Sequence, residues 1–75
     1  MIKTIPTSSG FIQGRNGLTY IKAVDVMLTQ SCGTLPRHIR LDGISKVKGI
    51  IVNGGIEMDV KCARELAKTI LEMTE

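Results

Sequence analysis

Residues 53–73, "NGGIEMDVKCARELAKTILEM", decide the fold. Ala63, Leu66, Ala67, Ile70 and Leu71 follow the i, i+3, i+4, i+7, i+8 spacing of one helix face. Lys61, Arg64, Glu65, Lys68, Thr69 and Glu72 cover the other side. Asp59 stands where an N-cap belongs, its carboxylate able to accept the first free backbone N–H groups. The pattern predicts a helix over 60–73, roughly 21 Å long. Before it, Ile56 and Met58 alternate around Glu57, the period of a short strand with one covered face. Asn53-Gly54, between "GIIV" and "GIEM", is a hairpin signal because both residues tolerate positive φ.

Working outward, Asn16-Gly17 repeats that signal between "GFIQGR" (10–15) and "LTYIKAVDVML" (18–28). In the second run Leu18, Tyr20, Val24, Val26 and Leu28 share one face, interrupted by Lys22. Ile21, Ala23 and Met27 share the other with Thr19, Asp25 and Thr29, so something should pack on each side. "TQSCGTLPR" (29–37) reads as a loop through Gly33 and Pro36. "HIRLDGI" (38–44) resumes alternation, and Gly43 puts Ile44 out of phase as a bulge does. The expectation is a single α+β domain over 1–75: a small antiparallel sheet of four to five strands packed by one C-terminal helix. In that reading 53–73 is the brace, and the sheet and its loops are the working part.

A chain of 75 residues with 43% apolar and 23% charged side chains is globular in composition, neither disordered nor membrane-like. No apolar run approaches the ~20 residues that span a bilayer. "MIKTIPTSSG" lacks the apolar core of a signal peptide, so the expected compartment is the cytoplasm. There Cys32 and Cys62 stay reduced. His38 is the sole histidine, with no paired-ligand spacing around it, so neither zinc nor another cofactor is expected. Gly10, Gly14 and Gly17 lack the Lys-Ser/Thr of a phosphate loop and fit hairpin turns instead. Cys32, His38 and Asp42 would make a nucleophile, base and orienter only on paper, because no signature surrounds the cysteine. The sequence therefore predicts a protein that is not an enzyme.

Charge gives the functional signal. Residues 1–48 hold seven of the ten basic side chains and two of the seven carboxylates. Within "RHIRLDGISKVK" (37–48), Ile39 and Leu41 face a core, and His38 and Arg40 then face solvent. The candidate binding residues are Arg15, Arg37, His38, Arg40, Lys46 and Lys48. Arg37, Arg40, Lys46 and Lys48 are expected to serve binding and not folding. The partner they imply is an acidic protein surface or a nucleic-acid-associated complex. Direct phosphate contact is the alternative, although Phe11 and Tyr20 are the only aromatic platforms. The apolar second face of 18–28, with "GIIV" at 49–52, predicts a homodimer through Ile21, Ala23, Met27 and Ile51. On the helix, Lys61 and Arg64 near the start and Glu72 and Glu75 near the end oppose the macrodipole.

Very short, poor in motifs and without an evident active site, the chain is similar in style to small phage or mobile-element accessory proteins, including anti-CRISPR and other anti-defence inhibitors. No shared motif carries this likeness. It implies a protein of the host cytoplasm that inhibits or modulates a larger machine by occupying its surface.

Overall fold

The computed structural model describes residues 1–15, 17–30, 36–52 and 55–75. Strands β1 (Ile2–Gly14), β2 (Gly17–Thr29), β3 (His38–Ser45) and β4 (Ile56–Asp59) form one antiparallel sheet in the order β1-β2-β3-β4. Helix α1 (Val60–Met73) completes the expected α+β fold. Asp59 caps it, its Oδ1 accepting the Cys62 N–H at 2.6 Å. No helix among the described residues is long and apolar enough to cross a membrane.

β1 starts well before the run that its sequence marks. Pro6 donates no backbone hydrogen bond, yet β1 is an edge strand, where proline is tolerated. Its ladder runs Pro6↔Ala23 and then resumes at Gly10↔Ile21, while Ile21↔Ser45 and Ala23↔Ile44 shift the second ladder at the same level. Against β3 the extra residue is Lys22 on β2, not a residue at Gly43, whereas against β1 the excess lies on β1, where Thr7, Ser8 and Ser9 stand opposite Lys22 alone. Gly43 serves close approach instead: a Cβ there would sit 2.6 Å from Ile12 Cδ1 and 3.2 Å from Ile21 Cγ2. Gly10 leaves the matching gap, 2.8 Å from Ile21 Cγ1. Ile21, 8% exposed, is buried between them. Gly43→Val should therefore overpack the core and cost roughly 1–3 kcal/mol, read as a lower urea midpoint at unchanged slope.

The fourth edge corrects the hairpin expected at Asn53-Gly54, a turn that itself lies outside the described residues. Residues 46–49 make the reversal, with Gly49 at φ +68° and its N–H donating to Ser45 O at 2.9 Å. "GIIV" is not a strand; Ile51 forms a single bridge to Ile44, framed by Ser45 N–H to Ile50 O and Val52 N–H to Gly43 O. β4 then continues along β3 from Leu41↔Ile56 to His38↔Asp59. The expected fifth strand is the first piece of an interrupted fourth.

The brace expectation also changes. β4 runs into α1 with no residue between them, so the chain has no turn with which to fold α1 back over the sheet. The helix makes its main contacts with β3 and β4 and has no buried residue. Among the described residues, the buried apolar side chains are Ile21 and Ala23.

Candidate binding surface

At the helix end of the sheet, one face carries a polar network. Successive residues on a strand point to opposite faces and register partners share one, which sets His38, Arg40, Asp42, Glu57 and Asp25 on the same side. Asp25 and Asp42 stand opposite each other on β2 and β3. Arg40 Nε donates to both oxygens of Asp42, at 3.0 and 2.9 Å, and Asp42 is 3% exposed. Thr4 Oγ1 donates to Asp25 at 2.6 Å. A side chain at Gly55 would collide with the Arg40–Asp42 pair. Asp42 holds the Arg40 proton more tightly than usual through its hydrogen bond and charge, with Glu57 adding to the effect from 3.6 Å. Arg40 was expected to face solvent and take no part in folding. It instead neutralises a buried carboxylate, because the face that alternation assigned to water is occupied by the close approach of Gly55 and by its own ion pairs.

His38 sits beside this network. Its Nδ1 lies 2.9 Å from the Pro36 carbonyl and its Nε2 lies 3.0 Å from Glu57 Oε1. Both partners are acceptors, so only the imidazolium satisfies both. The hydrogen bond to Pro36 and then that to Glu57 raise its pKa above the ordinary 6.5. With the folded value raised, His38 stabilises the fold fully below pH 6.5, and that contribution is lost as pH climbs through the folded value. Melting temperature should fall between pH 6 and pH 8, and His38→Gln should flatten that slope. An unchanged slope in the variant would remove His38 from the explanation.

The opposite end, around the 46–49 turn, is built differently. Lys46 N–H donates to Tyr20 O at 2.9 Å, Lys48 N–H to Ser45 Oγ at 3.2 Å, and the Gly49 bond closes the reversal. The turn is thus pinned to β2 and β3 while its side chains stay free. Val47 is 90% exposed, and Leu18, Tyr20, Ile50 and Ile51 are each at least half exposed. With Lys48 and Val52 they line an open concavity of about 500 Å³. The Lys22 ammonium reaches the turn, 3.5 Å from where a Gly49 side chain would start. No ion pair among the described residues involves Lys22, Lys46 or Lys48. The result is apolar surface edged by unspent positive charge on a hydrogen-bonded frame.

The six candidate residues do not converge. Arg37, His38 and Arg40 lie at one end of β3, and Lys46 and Lys48 at the other, roughly 25 Å away at strand rise. Arg15, just past β1, is exposed at the tip of the β1–β2 ribbon. Of the residues expected at a dimer interface, Ile21 and Ala23 are buried within the chain, Met27 is partly covered, and Ile51 lines the concavity. Ile21 and Ala23 have almost no surface left to offer a partner. Cys32 of the paper triplet lies outside the described residues, and His38 and Asp42 are each committed to other partners. Among the described residues no three His, Cys, Asp or Glu side chains are grouped to hold a metal.

The sequence reading missed Lys22, Val47 and the Phe11↔Tyr20 pair, which stands exposed on neighbouring strands. That pair was not legible from the expected turn: a two-residue Asn16-Gly17 loop would set Arg15 against Leu18 and Gln13 against Tyr20, whereas the ladder closes at Gly14↔Gly17 and so sets Phe11 against Tyr20. Val47 carried its own signal, a large apolar residue between two lysines. No protein-family model, curated protein or solved structure matches the chain.

Proposed function

We propose that this is a non-enzymatic binding protein that inhibits or modulates a larger assembly by docking the 46–49 turn and its concavity onto an acidic protein surface. The observation that carries the reading is Val47 in solvent on a pinned turn, with Tyr20, Ile50 and Ile51 beside it and Lys22, Lys46 and Lys48, which form no ion pair among the described residues, around it. Apolar surface rimmed by charge marks protein interaction sites, and a fixed backbone lowers the entropy lost on docking. Lysines at the rim steer an acidic partner and set its orientation.

A second reading rests on the Phe11–Tyr20 pair, which with Lys22 and Arg15 offers stacking and phosphate contacts to single-stranded nucleic acid. Salt separates the two. Titration with a labelled oligonucleotide should give no binding at low salt if the partner is protein, whereas phosphate contacts give log K falling steeply with log salt. Tight, salt-sensitive oligonucleotide binding that is lost in Tyr20→Ala would overturn the protein reading.

A further inference from the structure

The opposite end of the molecule carries apolar surface that the docking reading does not use. The chain exposes 6181 Å², against roughly 4,500 Å² for a compact monomer of 8.2 kDa. Its radius of gyration is 13.5 Å, against about 11 Å for a compact domain of this length. α1 contributes to that excess, since Leu66 is 38% exposed and Ile70, Leu71 and Met73 are more than half exposed. A surplus of about 1,700 Å² is roughly twice the ~800 Å² that each partner buries in a standard interface.

The charges beside that stripe say what covers it. Arg64, Lys68, Glu72 and Glu75 follow one another along a single flank, next to Ala67 and Leu71. Basic residues precede acidic ones, against the macrodipole, which is unfavourable in an isolated helix. Turned end for end, the same flank is its own complement.

We infer that α1 pairs antiparallel with α1 of a second copy of this chain. With a two-fold axis near Ile70, Ile70 packs on its counterpart and Lys68 faces the second copy's Glu72. Arg64 then faces Glu75, and symmetry repeats each ion pair. Antiparallel pairing sets like flanks against each other, so all four charges find opposites. The dimer leaves the 46–49 turn of each copy free.

Analytical ultracentrifugation of the full chain tests this. The wild type should sediment at twice 8.2 kDa at micromolar concentration. R64E/K68E, with an all-acidic flank, should dimerise roughly tenfold or more weakly, and E72K/E75K, with an all-basic flank, should do likewise. Mixing the two variants should restore a dimer. These side chains are exposed in one copy, so circular dichroism should show each variant folded. A wild type that stays at 8.2 kDa would overturn the pairing and leave the stripe to another protein. A dimer that survives both charge reversals would also overturn it, by moving the interface off α1.

Discussion

Arg40→Met lowers the melting temperature by on the order of 10 °C, the largest loss expected from any single substitution of a charged residue in the sheet. Methionine keeps much of the side-chain volume but donates nothing. Asp42 is then left with its buried carboxylate unpaired, and it faces Asp25 across the β2–β3 ladder. Removing one member of a buried pair is far more damaging than removing both, because the cost lies in the orphaned charge. Arg40→Met/Asp42→Asn should therefore recover much of the loss. Thermal melts at pH 7 measure both. A single variant that melts within two degrees of the wild type would show that Arg40 belongs to the solvated surface after all. By the same logic, exchanging Arg37, Arg40, Lys46 and Lys48 together for glutamate unfolds the sheet through Arg40, and so reports poorly on binding.

The cleaner probe is Lys46→Glu/Val47→Asp/Lys48→Glu. The turn's hydrogen bonds are made by backbone groups and Ser45, so these three side chains can change without disturbing the frame. Exposed substitutions of this kind stay within about 0.5 kcal/mol each. Affinity for an acidic partner should nevertheless fall by roughly a hundredfold or more. An apolar anchor is lost from the centre of the contact, and two attractive charges become repulsive. Calorimetry against a partner captured on the wild-type chain measures the affinity, and a melt of the same sample checks the fold. An unchanged affinity in a well-folded variant would move the interface away from this turn.

What the sequence revealed was what depends on local period. The limits of α1, its Asp59 cap, and strands β2 and β3 follow from apolar spacing and capping chemistry within a few residues. The first half of β1 was hidden because Pro6, Ser8 and Ser9 interrupt its alternation, and only its position at the sheet edge makes them acceptable. The hairpin was assigned to Asn53-Gly54 because that pair is a stronger turn signal than Gly49 alone. Ser45 and the backbone bonds to β3 decide for Gly49, and those contacts are tertiary.

The candidate site was legible in composition and not in arrangement. Lys46 and Lys48 were identified, but alternation could not separate them from Arg40, which shares their charge and their segment. Only the β3–β4 pairing shows that Glu57 serves both Arg40 and His38, and only the burial of Asp42 shows that it claims Arg40. The helix misled for a similar reason. Its amphipathic stripe implies a cover but does not say whether that cover is its own sheet or another chain.

Amide chemical-shift mapping of the labelled chain on addition of that captured partner tests the central claim most directly. The account predicts broadening and shifts concentrated at 18–22 and 45–52, with 60–73 unperturbed. Perturbations centred on α1, or on the His38–Arg40–Asp42 face, with the 46–49 turn silent, would contradict it.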